Sequence, residues 1–298
     1  MKRVSLQIAA GIVFCLLVAM SASAQVARVF LAGTGNDAGD CTNQATPCRS
    51  LQGAVTACPV DGEIIILDNG GYGGATITKS LTVNASAGVV AFIARTITVN
   101  TASTDKVVLR GLSMNGVVFG DANGIASIGG GTLVVENSVI AGFASAGINQ
   151  TGSNLIVNNC EFRNNGAGLF VGSGNATVIE SSRFEYNAFG VRSFGGSANV
   201  IIRNSVLANN TVGVSAIGLS SSVLFVVDTC TIAHNSTGLS AAVLPFVTAT
   251  IRVTNSTIYH NGNGISVGAG CAIESYGNNR VLENGANSTF SGTVLPLQ

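Results

Sequence analysis

The feature that most constrains this chain is a repeat of 22 to 26 residues in its second half. A small residue lies two positions before an apolar anchor residue, an asparagine three after it and a glycine six after it. Each repeat otherwise contains short β-branched runs between Gly, Asn and Ser, which predict strands rather than helices. The anchors are Ile140, Phe162, Phe184, Leu207, Ile232, Ile258 and Val281.

A repeat of this length with three short strands predicts one turn of a parallel β-solenoid. Leucine-rich repeats have a similar length, but they need a Leu-x-x-Leu-x-Leu frame that is missing here. Each strand of a solenoid pairs with its equivalent one turn away, about 4.8 Å along the axis, so identical columns stack. We interpret the asparagine column as a ladder at a corner, because Asn bonds its neighbours and tolerates left-handed backbone angles. Glycine would supply the other special angles. The ladder comprises Asn165, Asn187, Asn210, Asn235 and Asn261.

Charge is scarce and balanced. Only 9% of the 298 residues are charged, with 14 Lys and Arg against 14 Asp and Glu. A nucleic-acid partner is therefore not expected, because such partners select a basic surface.

The first residues have the pattern of a secretory signal peptide. Lys2 and Arg3 precede an apolar run over 8–20, and the sequence Ala22-Ser23-Ala24 provides a small-residue cleavage site. We predict a signal peptide over 1–24 and export to the periplasm or the extracellular space. The run is too short for a comfortable membrane span. No later stretch approaches 18 apolar residues, so the mature chain is predicted to have no membrane span.

The remainder, 25–298, is predicted to be a single domain. Residues 25–60 would form a lead strand, a cysteine-containing loop and a short helix near 50–58, and residues 61–285 the coils. The helix is expected to plug one open end, and a C-terminal cap over 286–298 the other. Val294, Leu295 and Leu297 are the expected covering residues.

Several segments resemble a known superfamily. The sequence over 51–55, 61–67, 71–73 and 77–83 is similar to the opening of the pectin-lyase-like superfamily, and 275–281 resembles the last coil of its secreted bacterial members of unassigned activity. The resemblance implies an all-β fold. This fold is a right-handed single-stranded parallel β-helix, a solenoid of about ten coils with a short N-terminal capping helix.

The cysteines indicate at most one disulfide near the N-terminus. Cys41 and Cys48 are predicted to pair, with Cys58 a competing partner for either. Cys160 and Cys230 share an inward column three coils apart, about 14 Å, which is too far for a bridge. Cysteine and histidine spacings give no metal site, and no cofactor is implied.

In the resembled superfamily, the chemistry is expected on the strand that follows the Asn and Gly columns. Eight positions after the anchors, this chain places no carboxylate there, so lyase, polygalacturonase and pectin-methylesterase arrangements are not met. Asp121 lies in a longer loop over 115–124, and a second longer loop spans 240–248. The residues of this row are Asn149, Phe170, Arg192, Ser215, Ser240 and Ser266.

Asn149, Phe170 and Arg192 form the best candidate binding patch, because an aromatic ring and a guanidinium could hold an anionic sugar. The alternative is an ordinary solvent-exposed face. The function favoured by the sequence is non-catalytic binding or scaffolding at a polysaccharide or cell-surface layer. An atypical carbohydrate-active enzyme, such as a lyase or epimerase, and an adhesin-like module remain alternatives. The sequence does not fix the oligomeric state.

Overall fold

Thirty strands, numbered β1–β30 in chain order, wind into three parallel sheets in the computed structural model. The structure describes residues 28–172, 176–243, 247–286 and 289–296, so the predicted signal peptide and Leu297 lie outside the described residues. Each turn contributes one strand to each sheet, and every strand pairs in parallel with its equivalents in the adjacent turns.

The strands of each sheet have the following bounds. Sheet 1 comprises β1 (Arg28–Leu31), β2 (Gly62–Ile66), β5 (Leu81–Ala85), β8 (Lys106–Arg110), β11 (Thr132–Glu136), β14 (Asn154–Asn158), β17 (Ala176–Glu180), β20 (Ala198–Arg203), β23 (Val223–Asp228), β26 (Ala249–Thr254) and β29 (Ala272–Ser275). Sheet 2 comprises β3 (Gly70–Gly71), β6 (Ala91–Ile93), β9 (Leu112–Asn115), β12 (Val139–Ala141), β15 (Glu161–Arg163), β18 (Arg183–Glu185), β21 (Val206–Ala208), β24 (Thr231–Ala233), β27 (Thr257–Tyr259) and β30 (Arg280–Leu282). Sheet 3 comprises β4 (Ala75–Ile77), β7 (Ile97–Val99), β10 (Asn123–Ser127), β13 (Ala146–Gln150), β16 (Ala167–Val171), β19 (Phe189–Ser193), β22 (Val212–Gly218), β25 (Thr237–Val243) and β28 (Asn263–Val267).

The predicted parallel β-solenoid is confirmed, with nine complete three-strand turns in the described chain rather than about ten. The anchor column lies in the middle of the sheet 2 strands and is buried from Ile140 to Ile258, while Val281 in the last strand is half-buried. The apolar columns of the other two sheets are buried as well. The rings of Phe162 and Phe184 stack in adjacent turns with their centroids 4.7 Å apart. The core is therefore a continuous stack of equivalent side chains along the axis.

The asparagine ladder follows the sheet 2 strands, but it does not supply the left-handed backbone. The residue before each ladder asparagine has the positive φ instead, for example Asn164 at 56° and Tyr186 at 57°. The ladder side chains are buried and bond between turns: the Asn165 Nδ2 donates to the Asn187 Oδ1 at 3.1 Å. Amide bonding alone therefore explains the column.

The glycine column is also needed for space rather than for special angles. Gly168 has no positive φ, but a Cβ there would lie 2.5 Å from the Phe184 ring and 2.7 Å from the Gly190 carbonyl oxygen. Neighbouring turns approach closely at this corner, and only glycine leaves room for the adjacent backbone.

The N-terminal end is closed by two elements. Helix α1 (Leu51–Ala57) begins at the N-cap Ser50, whose hydroxyl accepts a hydrogen bond from the Gly53 backbone N–H at 3.0 Å. Its buried residues join the core, so the helix covers the open lumen. The cysteine-containing loop covers the outer edge of β1, where the Phe30 backbone N–H donates to the Cys41 carbonyl at 2.8 Å.

At the C-terminal end, a side chain that the sequence analysis did not select contacts the core. Phe290 packs against the core, whereas Val294 is 64% exposed. Leu295 is half-buried, and its backbone N–H donates to the Ser275 carbonyl at 2.9 Å, beside the last strand of sheet 1. Val294 instead lies beside Gly277 on the surface of the last coil.

Candidate functional site

The outer face of sheet 3 brings the three candidate binding residues side by side. Asn149 of β13 pairs in register with Phe170 of β16, which pairs with Arg192 of β19. All three side chains are half-buried. Successive members of the row are one strand spacing apart, about 4.8 Å. Ser215 continues the row on β22 and is buried.

Arg192 is held by two rings that the sequence analysis did not assign to it. Its guanidinium carbon lies 4.3 Å from the ring centroid of Phe189 and 4.8 Å from that of Phe194, whereas no such contact joins it to Phe170. The segment Phe-Gly-Val-Arg-Ser-Phe carries this signal, with rings three positions before and two after the arginine. Gly190 interrupts the strand alternation, so residues three apart lie on the same face.

Arg192 is the one charged residue within the strands of sheet 3, all of which are described. Burial lowers the pKa of its guanidinium, and no carboxylate pairs with it among the described residues. In contrast, seven described arginines form ion pairs with a carboxylate: Arg28, Arg95, Arg110, Arg163, Arg183, Arg203 and Arg252. Arg192 is therefore a positive charge without a compensating partner in the described protein.

Buried polar atoms without a partner are concentrated on the same sheet. Within the described ranges, such side-chain atoms are the Asn123 Oδ1, the Asn149 Oδ1 and the Arg192 Nε, and all three belong to sheet 3 strands. Buried polar atoms are normally hydrogen-bonded, so unsatisfied ones require an explanation. Asn123 was not selected from the sequence, since one Asn among many gives no distinguishing signal.

Asp121, the carboxylate that the sequence analysis considered, already has an ion-pair partner and hydrogen-bond donors within the protein. It lies beyond a 3-10 helix (Gly116–Val118) and forms a 2.9 Å ion pair with Arg95. Its carboxylate also accepts hydrogen bonds from the Thr96 backbone N–H at 2.8 Å and from the Thr96 hydroxyl at 3.2 Å. The backbone hydrogen bond from Thr96 keeps the pKa of Asp121 below its usual value, which favours the ionised carboxylate.

Apart from the half-buried Cys271, the described cysteines lie in a disulfide or in the buried core. A disulfide joins Cys41 and Cys48, whose Cα atoms are 5.2 Å apart, and Cys58 is a buried free thiol. Burial raises the pKa of Cys160 to about 12 and that of Cys230 to about 11, so both remain protonated thiols. Within the described ranges, no group of three or more His, Cys, Asp or Glu side chains could hold a metal ion.

The sequence matches the model of the right-handed β-helix region over residues 63–239 and 123–284, which together span most of the chain. The chain belongs to the right-handed β-helix family. No curated protein sequence is significantly similar to it.

Solved structures agree with this β-helix assignment. The pectate lyase Pel9A superposes with a TM-score of 0.62 at 17% identity, covering 88% of this chain and 81% of that protein. XylC in complex with xylose gives a TM-score of 0.57 at 8% identity, covering 81% and 70%. At such identities the similarity establishes the fold.

The candidate site of this β-helix consists of polar and aromatic groups on the sheet 3 strands. The sheet 3 strands supply a guanidinium, aromatic faces and amide oxygens, while they contain no carboxylate.

The predicted loop over 240–248 is only partly described. Its residues 240–243 belong to β25, and 244–246 lie outside the described residues. No helix among the described residues is long and apolar enough to cross a membrane.

Proposed function

We propose that this protein is an exported, non-catalytic binding protein for acidic polysaccharides. The outer face of sheet 3 is the binding surface, and Arg192 contacts a carboxylate of the sugar chain. The observation that carries the proposal is the unpaired, half-buried guanidinium of Arg192 between two phenylalanine rings.

The chemistry of Arg192 favours an anionic ligand. A guanidinium binds a carboxylate through two parallel hydrogen bonds, and a partly desolvated site strengthens them. The rings of Phe189 and Phe194 restrict the side chain before binding, so less conformational entropy is lost in the complex. Arg192 therefore acts as the anchor of the proposed site.

The neighbouring groups favour a carbohydrate over other anions. The amide side chains of Asn123 and Asn149 are half-buried and their Oδ1 atoms have no partner, so these amides can hydrogen-bond sugar hydroxyls when they turn outward. The ring of Phe170, between Asn149 and Arg192, offers a half-buried apolar surface to a sugar ring. The same fold occurs in a pectate lyase and in a protein bound to xylose, which supports a sugar ligand.

A binding role fits the carboxylates better than catalysis does. Glycoside hydrolysis needs two carboxyl groups, one of them a proton donor, on either side of the scissile bond. Asp121 is the one carboxylate considered near this face in the described part of the chain, and its ion pair and hydrogen bonds stabilise the ionised form, which cannot donate a proton. Export by the N-terminal segment over 1–24 would bring the protein to a polysaccharide layer.

The test is binding of polygalacturonate, a uronic acid polymer, to residues 25–298 by affinity electrophoresis and calorimetry. We expect Arg192→Ala to weaken binding by about tenfold or more, because a charge-assisted hydrogen bond contributes about 1.5–3 kcal/mol. Arg183→Ala, on a sheet 2 strand, is the matched control and should bind as the wild type does. Neutral xylan should bind more weakly than polygalacturonate.

Equal binding by Arg192→Ala and the wild type would refute the proposed site. The same tubes are assayed for unsaturated products and reducing ends, with and without Ca²⁺. Turnover that Arg192→Ala abolishes would overturn the non-catalytic function and favour a lyase or epimerase.

A further inference from the structure

The outer face of sheet 1 carries a column of β-branched apolar side chains, which we call the sheet 1 stripe. One residue comes from each of six consecutive strands, and neighbours pair in register. The stripe consists of Val108, Val134, Ile156, Val178, Ile201 and Val226. Thr82 precedes it, and Arg252, in an ion pair with Glu274, follows it. The stripe is therefore an apolar segment with polar ends, about 24 Å long.

Much of the sheet 1 stripe is open to solvent. Ile156 is 41% and Ile201 39% exposed, whereas Val134 is buried. The other three valines are half-buried. Alternate residues of a strand point to opposite faces, and only the inward ones pack in the lumen, so outward positions need not be apolar. A contiguous exposed apolar patch of this kind indicates an interaction surface.

A column of mostly charged residues, the charged column, flanks the stripe two positions later in each strand. Along the axis it reads Arg110, Glu136, Asn158, Glu180, Arg203 and Asp228. Arg110 forms an ion pair with Glu136, and its side chain is still 40% exposed. Arg203 forms one with Glu180 and is 45% exposed. A guanidinium has five N–H donors, so each arginine can bind a second carboxylate.

The charged column is complementary to its own reversed copy. A twofold axis that runs parallel to the strands, between β14 and β17, sets two sheet 1 faces against each other with their coils in opposite order. Arg110 of one copy then faces Asp228 of the other. Glu136 likewise faces Arg203. Each of these opposite-charge pairs occurs twice in the symmetric dimer.

The charges also exclude the neighbouring registers. A twofold axis over β14 would set Arg110 against Arg203. It would also set Glu136 against Glu180. An axis over β17 would set Glu136 against Asp228. Like charges that face each other across an interface are unfavourable, so the charged column selects one register.

We propose that two copies of this chain associate through the sheet 1 stripe as an antiparallel dimer, with the charged column at the rim of the interface. Facing sheets pack about 10 Å apart, a gap that an arginine and a carboxylate from opposite sides can bridge. Six strands of about five residues form a face of about 29 by 16 Å, so two copies bury on the order of 1,000 Å². This area is at the lower bound for a specific interface, so we expect a dissociation constant in the micromolar range.

Sedimentation velocity of residues 25–298 at about 1 to 200 µM tests the dimer. We expect the wild type to pass from monomer to dimer over this range. Ile201→Asp places a carboxylate in the apolar centre of both copies and should raise the dissociation constant at least about tenfold. The matched control is Val117→Asp, on the 3-10 helix between sheets 2 and 3, which is 75% exposed and should dimerise as the wild type does.

A charge exchange tests the register separately. Glu136→Arg and Arg203→Glu each create like-charge contacts at both rims, so each variant alone should associate at least about fivefold more weakly. A mixture of the two variants restores opposite charges in both contacts and should form a heterodimer more tightly than either variant associates with itself. The two positions lie three coils apart within one chain, about 14 Å, so a contact within one copy cannot produce this rescue.

A circular dichroism spectrum verifies that each variant is folded. A wild type that stays monomeric throughout, or Ile201→Asp that dimerises equally well, would overturn the dimer. A mixture that associates no better than its components would overturn the antiparallel register. Sheet 3 is free in both copies, so Ile201→Asp should still bind polygalacturonate, which separates this proposal from the proposed function.

Discussion

The asparagine ladder allows a quantitative test of what stabilises the corner between sheets 2 and 3. Asn187 is 3% exposed. Its Oδ1 accepts hydrogen bonds from the backbone N–H of Asn165 at 3.0 Å and from the Nδ2 of Asn165 at 3.1 Å. Its own Nδ2 donates to the Phe162 carbonyl at 3.0 Å and to the Asn210 Oδ1 at 3.1 Å. Asn187→Ala removes these four bonds and a fifth, from the same Nδ2 to the Glu185 carbonyl at 3.2 Å.

The expected loss of stability follows from the hydrogen-bond donors that the substitution leaves unpaired. The truncation leaves two buried donors on Asn165 without acceptors, its backbone N–H and one Nδ2–H, while the other Nδ2–H still bonds the Ile140 carbonyl at 3.1 Å. Each unsatisfied buried donor costs about 1–3 kcal/mol, so two of them should lower the free energy of unfolding by about 2–6 kcal/mol.

Urea unfolding followed by far-ultraviolet circular dichroism measures this change by linear extrapolation. The matched control is Asn158→Ala, an exposed asparagine on the outer face of sheet 1, which should stay within about 0.5 kcal/mol of the wild type. If Asn187→Ala loses no more stability than Asn158→Ala, the ladder does not stabilise the corner and the reasoning is wrong.

Two other predictions follow from local packing. Gly168→Ala should lower the free energy of unfolding by about 1–3 kcal/mol, since its Cβ would lie 2.7 Å from the Gly190 carbonyl oxygen. Gly130→Ala, whose Cβ would meet atoms only at 3.5 Å, is its control in thermal denaturation, and equal midpoints would contradict the steric explanation. In native alkylation by iodoacetamide at pH 8, the half-buried Cys271 should react before Cys160 and Cys230, because the reagent can reach it while the other two thiols are buried. Burial raises the pKa of all three thiols, to about 12 for Cys160 and about 11 for Cys230. Mass spectrometry of the labelled peptides checks this order, and simultaneous labelling of all three would contradict it.

The sequence predicts the register of this fold well because the columns repeat. The anchors Phe162 and Phe184 pair in the structure as their offsets require, and so do Phe170 and Arg192. The left-handed corner positions are harder to recognise, because residues as different as Asn164 and His234 occupy them. The residues of that column share a left-handed backbone conformation rather than a side-chain type.

The candidate site is only partly visible in the sequence. Strict alternation places residues three apart on opposite faces of a strand, so Phe189 is not an obvious partner of Arg192. The interruption at Gly190 changes this, and it requires the three-dimensional register.

The two ends of the solenoid are secured by different means, and this difference gives the molecule a mechanical polarity. At the first coil, a disulfide holds the segment that hydrogen-bonds the edge of β1. At the last coil, Phe290 and a few hydrogen bonds hold the tail. Because each turn of a solenoid contacts only its neighbours, opening begins most easily at a free end. We therefore expect the coils at the C-terminal end to unfold first. The amide protons of the turns nearest α1 should be the last to exchange with solvent.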